Sequence, residues 1–125
     1  MIISPFAYRF GRLLLASLFV ISGIFKIIGF TGTVGYMSSI GVPFATLAVI
    51  ATIFVEVGAG LALLSNRLAR PAALLIAFFT VIATLTAHRF WSADPAAMQG
   101  QLTQFLKNIA LIGSLLMVWA VEPKE

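Results

Sequence analysis

Four long apolar stretches, separated by short polar connections, make up most of the chain. They cover residues 8–28, 44–64, 71–89 and 102–121. Each is close to the roughly 20 apolar residues that an α-helix needs to cross a bilayer. No small-x-small cleavage site follows the first stretch, so we expect a retained helix rather than a signal peptide. The pattern predicts an all-α, polytopic membrane protein, in which residues 1–125 form a single domain of four transmembrane helices.

Proline and glycine mark the predicted helix ends. Pro43 and Pro71 stand where the second and third spans begin, and there the missing N–H of proline costs no helical hydrogen bond. Asp94 and Pro95, in the last connection, form a turn or helix-start signal. Four glycines follow the first span, so we expect them to break any long helix and to leave at most a short turn over residues 33–40.

The composition agrees with a membrane protein and removes several classes of function. Hydrophobic residues make up 61% of the chain and charged residues 10%, with a mean hydropathy of +1.08. Without cysteine, disulfides, thiol relays and iron–sulfur clusters are excluded. A single histidine excludes bis-histidine haem ligation and the usual zinc ligand sets. We therefore expect no metal site and no covalently bound cofactor.

The basic residues predict the orientation of the chain in the membrane. An even number of spans places five of them on one side: Arg9, Arg12, Arg67, Arg70 and Lys124. The positive-inside rule makes that side cytoplasmic, so both termini are predicted to lie in the cytoplasm. The tyrosines and tryptophans agree, with Tyr8 and Trp119 at the inner interface and Tyr36 and Trp91 at the outer one. We interpret the net charge of +4 as a signal of membrane orientation. We expect membrane lipids as partners and no binding of nucleic acid.

Glu56 is the only acidic residue inside any of the four stretches. A charged side chain at the centre of a span costs about 2.5 to 3.5 kcal/mol on insertion scales, so it usually faces the bundle interior and finds a partner. Counted from Pro43 at about 1.5 Å per residue, Glu56 lies near mid-membrane. Lys26 and Lys107 lie nearer the outer ends of their helices. The difference in depth leaves open whether either lysine reaches the carboxyl group.

Each span carries further polar residues, mostly in its outer half, and together these predict a polar pocket between the helices. Glu56 and Lys107 are the candidate catalytic residues. The candidate ligand-binding residues are Lys26, Thr52, Thr84, His88, Gln104 and Asn108. Structural explanations stay open beside these roles: a lysine–glutamate pair that holds the bundle together, threonines bonded to their own backbone, and a histidine at the membrane interface.

Four motifs in order resemble the DoxX family of small bacterial membrane proteins. They are G-x-x-K-x-x-G-F at residues 23–30, G-x-P at 41–43, an E-x-x-G-G-like stretch at 56–60, and K-N-x-A-L-x-G at 107–113. Ala59 replaces one glycine of the third motif. The resemblance covers nearly the whole chain and implies a four-helix fold of the bacterial inner membrane, with Lys26, Glu56, Lys107 and Asn108 as its polar centre.

The same resemblance implies a membrane component of an oxidoreductase system that binds a quinone or a similar small apolar ligand. Glu56 and Lys107 would handle a proton or a carbonyl oxygen, beside a membrane-bound or periplasmic oxidoreductase partner. Whether the chain is itself an enzyme stays open. One alternative is a non-catalytic membrane protein that binds a lipid or sterol-like ligand or acts as a scaffold. Another is a small proton-coupled transporter, against which the lysines argue. The ligand and the oligomeric state stay undetermined.

Overall fold

The computed structural model describes residues 4–122, and these are almost entirely helical, with no strand among them. Helix α1 covers Pro5–Ile28 and α2 covers Phe30–Ser39. The second long helix begins as α3 (Ala45–Ile53), continues through a π-helical segment (Phe54–Ala59) and ends as α4 (Gly60–Ala62). Helix α5 covers Ala69–Ala87, a 3₁₀ turn covers Phe90–Ser92, and α6 covers Pro95–Val121.

Four helices in the described part of the chain are long and apolar enough to cross a membrane, which confirms the predicted all-α fold with four spans. The first begins at Pro5, where the Ser4 hydroxyl accepts a hydrogen bond from the Ala7 N–H. The fourth begins at Pro95, seven residues before the apolar stretch predicted to span. Pro95 starts a helix that runs without interruption through the polar residues ahead of that stretch. Lys124, used in the orientation prediction, lies outside the described residues.

The segment after the first span differs from the prediction of a short turn. It forms the ten-residue helix α2, in which Gly32 and Gly35 take helical positions. Each glycine in a helix costs about 1 kcal/mol relative to alanine. Contacts of α2 with α3 and α1 offset that cost. The helix ends before Gly41, whose φ of 87° is a left-handed conformation that glycine adopts readily.

Close backbone approach joins α1 to the second long helix. A Cβ atom added to Gly23 would lie 2.5 Å from Val57 Cγ2, and one added to Gly60 would lie 2.9 Å from Val20 Cγ2. Small residues let helices approach in this way within a membrane. Helix α5 packs along α6, and it also packs on the π-helical segment. The second long helix therefore stands between α1 and the α5–α6 pair.

One end of the bundle is closed by a group of polar side chains that we call the Arg12 cluster: Tyr8, Arg12, Asn66 and Glu122. The Arg12 guanidinium donates to Glu122 Oε2 at 2.8 Å and to Asn66 Oδ1 at 2.9 Å. The Tyr8 hydroxyl donates to the same carboxylate oxygen. Arg12 and Glu122 are both buried. The cluster joins the first span, the turn after the second span and the end of the fourth.

Candidate functional site

A cavity of about 370 Å³ lies between the helices, toward the end of the bundle opposite the Arg12 cluster. Its wall includes side chains from all four long helices and from α2. Six of the eight predicted site residues contribute to this wall: Lys26, Thr52, Glu56, His88, Lys107 and Asn108. Most of the remaining wall is apolar. The predicted polar pocket thus has a physical counterpart, although the roles of its residues stay predictions.

Glu56 lies inside the π-helical segment, at the point where the second long helix approaches α1 most closely. The segment holds the sequence Phe-Val-Glu-Val-Gly-Ala. Single π turns within α-helices are uncommon and often occur at functional sites. Thr52 and Glu56 are both buried, and both reach the cavity wall. Thr52 and Glu56, which are four residues apart, therefore lie on one inward face of this helix.

Lys26 forms an ion pair with Glu56, with Nζ 2.9 Å from Oε1. The glutamate side chain is 9% exposed and the lysine side chain 26%. Lys26 is the sole polar partner of the buried Oε1 among the described residues. A charged pair withdrawn from solvent and incompletely hydrogen-bonded is energetically costly. The carboxylate keeps an unused capacity to accept hydrogen bonds.

The contact between Gly23 and the π-helical segment explains why Lys26 reaches Glu56. A Cβ atom on Gly23 would lie 3.2 Å from Glu56 Cβ, so these two residues stand at the same level. Lys26 follows Gly23 by three residues on the same helix face. Counting depth along separate helices could not reveal this alignment. Lys107 lines the cavity but forms no ion pair with Glu56 in the described structure.

The buried threonines at the site hydrogen-bond mainly to their own helices. Thr52 donates to Ala48 O at 2.8 Å, and Thr84 donates to Thr80 O at 2.6 Å. Thr84 lies behind the cavity wall, where its oxygen accepts a hydrogen bond from Asn108 Nδ2 at 3.0 Å. Its position therefore suits holding Asn108 in place rather than direct contact with a ligand.

His88 and Gln104 have different surroundings. His88 follows α5 and lines the cavity, with Nδ1 2.9 Å from Gln101 Oε1. Gln104 is exposed and does not contribute to the wall. Gln101, one helical turn earlier, supports the histidine instead. The hydropathy pattern assigns Gln101 to a connecting segment and so does not point to it, whereas α6 already includes it.

The sequence pattern does not predict the Arg12 cluster, because Arg12 there indicates only the orientation of the chain. Glu122 stands one residue beyond the apolar stretch that ends at residue 121, so it gave no sign of lying in the bundle. The only sequence signal is the presence of a carboxylate and an arginine at helix ends predicted to share one side of the membrane. This cluster lies away from the cavity and ties the helices together at the other end.

Comparison with known proteins places the chain among small membrane proteins. The sequence model of the DoxX family matches residues 7–89, which include Lys26 and Glu56. The chain is 31% identical over 119 residues to the inner membrane protein YphA of Escherichia coli K12, covering 95% of this chain and 85% of that protein. It is 33% identical over 113 residues to the inner membrane protein YqjF of the same organism, covering 90% and 82%. No solved structure matches.

Proposed function

The chain belongs to the DoxX family, and we propose that it is an inner-membrane component of an oxidoreductase system, binding a quinone or a similar small apolar ligand in the cavity beside Lys26 and Glu56. Both relatives are inner membrane proteins, which supports the location. The matches to these relatives cover nearly the whole chain.

The observation that carries the proposal is the buried Lys26–Glu56 pair at the wall of an otherwise largely apolar cavity. Small-molecule sites are typically cavities of about 300 to 1,000 Å³. Their lining is mostly apolar, with a few polar groups that point to the same place. A quinone has this chemistry, since it joins an apolar ring and tail to polar oxygen atoms. The ion pair supplies one hydrogen-bond donor group and one acceptor group for the polar end of such a ligand.

Lys107 would provide a second ammonium group on the same wall, separate from the pair. The proposed catalytic roles of Glu56 and Lys107 concern a proton or a carbonyl oxygen of the bound ligand. Electrons would pass between this ligand and a membrane-bound or periplasmic oxidoreductase partner.

A second candidate is a non-catalytic protein that holds a lipid or sterol-like molecule. The predominantly apolar wall favours it, including the side chains that α2 places over the cavity, such as Met37. In this function the ion pair would fix the orientation of a hydroxyl or headgroup, and no electron would be transferred.

Purification of the full chain in a mild detergent, followed by mass spectrometry of extracted small molecules, separates these candidates. We expect a quinone to co-purify with the wild type and to fall at least tenfold in Glu56→Gln, Lys26→Met and Lys107→Ala. Glu122→Gln is the matched control, because it makes the same substitution in the ion pair remote from the cavity. A sterol-like or other lipid retained selectively in place of a quinone supports the second candidate. Quinone levels equal in all variants contradict the proposed site.

A further inference from the structure

Every threonine on the cavity wall has already donated its hydroxyl hydrogen to its own helix. The bonds run to the carbonyl oxygen four residues earlier and measure 2.7 to 2.9 Å; the donors are Thr33, Thr52, Thr80 and Thr86. A hydroxyl has one hydrogen and two acceptor lone pairs. With their hydrogens used in this way, these four side chains present acceptor lone pairs to a molecule in the cavity.

Glu56 adds further acceptors to the wall. Its carboxylate has unused acceptor capacity, because it offers about four lone-pair positions and Lys26 is the sole partner of Oε1 among the described residues. His88 also lines the cavity, with its Nδ1 2.9 Å from Gln101 Oε1. Ser22 and Tyr36 also line the cavity, but a hydroxyl can rotate to donate or accept and so does not discriminate between ligands.

The Lys26–Glu56 pair distinguishes a ligand hydroxyl from a ligand carbonyl more sharply than the threonines do. A ligand hydroxyl beside the pair can accept from the Lys26 ammonium and donate its hydrogen to the Glu56 carboxylate. A carbonyl oxygen at the same place satisfies only the lysine, and it brings its lone pairs toward the buried carboxylate without offering it a hydrogen. Leaving a buried charged group without its hydrogen bond is costly.

Lys107 and Asn108 add donors to the wall, so the choice of ligand falls to the Lys26–Glu56 pair. From the unused acceptor capacity of Glu56 beside the Lys26 ammonium we infer that the polar head of the ligand is a hydrogen-bond donor, a hydroxyl placed between Lys26 and Glu56. The inference rests on the proposed function and refines it: of a quinone and its reduced form, the site binds the hydroquinone more tightly. The ligand class is an apolar ring system bearing a phenolic hydroxyl. The donor requirement concerns binding and is independent of any electron transfer.

Three matched probes test the inference on the purified full chain in detergent. They are a short-chain benzoquinone, its hydroquinone kept reduced under nitrogen with ascorbate, and the dimethyl ether of that hydroquinone. The ether keeps the ring and both oxygens but has no hydrogen to donate. We expect the wild type to bind the hydroquinone at least tenfold more tightly than either of the others. Because this comparison uses only the wild type, it holds even if a variant fails to fold.

Glu56→Gln then tests whether Glu56 is the acceptor. Its amide both donates and accepts, so we expect the preference for hydroquinone over quinone to fall to less than threefold. Glu122→Gln, altered in the remote pair, should keep the full preference. Equal binding of hydroquinone and ether by the wild type overturns the inference, as does a preference unchanged in folded Glu56→Gln; in both cases the proposed quinone site survives. Failure of all three probes to bind overturns the proposed function itself.

Discussion

The ammonium nitrogen of Lys26 lies 2.9 Å from Oε1 of Glu56 and joins the last turn of α1 to the π-helical segment of the second span. The pair closes a contact that begins one turn earlier, where Gly23 lets the two backbones approach. A charge that would be costly alone in the membrane is thereby placed on the wall of a cavity with its counter-ion beside it. The proposed ligand binding would use the same two side chains that join the helices, so separating the two roles requires paired measurements.

Glu56→Gln should destabilise the protein, because it leaves the Lys26 ammonium without its counter-ion. Breaking a fully buried pair costs about 3 to 5 kcal/mol. Lys26 is 26% exposed, so we expect about 1 to 3 kcal/mol here. Thermal unfolding in detergent measures the change. The exchanged pair Lys26→Glu with Glu56→Lys should recover part of the loss, and an unaltered melting temperature in the single variant would show that the pair contributes nothing to stability.

Gly23→Ala should destabilise the bundle by about 1 to 3 kcal/mol, the usual cost of overpacking. The added methyl would lie 2.5 Å from Val57 Cγ2 and 3.2 Å from the Val57 backbone nitrogen, so side chain and backbone would both have to move. Gly11→Ala, in the same helix, is the control, since nothing lies within 4 Å of its Cβ position. It should be neutral or stabilising by up to about 1 kcal/mol. Equal melting temperatures for the two variants would contradict the close helix contact.

Arg12 and Glu122 should be strongly coupled in a double-mutant cycle. The substitutions Arg12→Met and Glu122→Gln each leave one buried partner of the 2.8 Å ion pair without its counterpart. We expect each to cost about 2 to 4 kcal/mol and the double variant to cost less than their sum by about 1 to 3 kcal/mol. Arg9→Met alters an exposed arginine one turn earlier and should change the free energy of unfolding little. Additive losses would mean that the two side chains act independently.

Thr84→Val should be more damaging than Thr80→Val, although both threonines are buried in the same helix. Each hydroxyl donates to its own helix, but only Thr84 also accepts a hydrogen bond from Asn108. Valine at position 84 removes the hydrogen-bond acceptor of the Asn108 amide, which should lower the free energy of unfolding by about 1 to 2 kcal/mol. Valine at position 80 should lower it by well under about 1 kcal/mol. Urea or thermal unfolding of the two variants gives the comparison, and the reverse order would be inconsistent with the Asn108 contact.

The predicted orientation can be tested by cysteine labelling, because the natural chain contains no cysteine. In spheroplasts, a membrane-impermeant maleimide should label Met98→Cys, an exposed residue in the first turn of α6. It should label Leu68→Cys, in the turn after the second span, only once the membrane is broken. This result is expected if the basic end of the bundle is cytoplasmic. Labelling of Leu68→Cys in intact spheroplasts would place the termini outside.

The number and approximate position of the spans follow from the sequence alone, because the hydrophobic thickness of a bilayer dictates the length of each apolar stretch. The i, i+4 spacing of Thr52 and Glu56 was likewise sufficient to place them on one inward face. The helix α2 was not predictable from local composition, since contacts with α1 and α3 offset the low helix propensity of its glycines.

Which polar groups meet was decided by tertiary structure. The sequence offered Lys26 and Lys107 as partners for Glu56, and it gave Arg12 only a role in orientation. The choice of Lys26 depends on how far α1 is shifted along the second span, and the contact of Gly23 with Glu56 and Val57 fixes that shift. The pairing of Arg12 with Glu122 depends on two helix ends 110 residues apart meeting at one end of the bundle. Helical periodicity determines the face on which a side chain lies, whereas only packing between helices determines what stands opposite it.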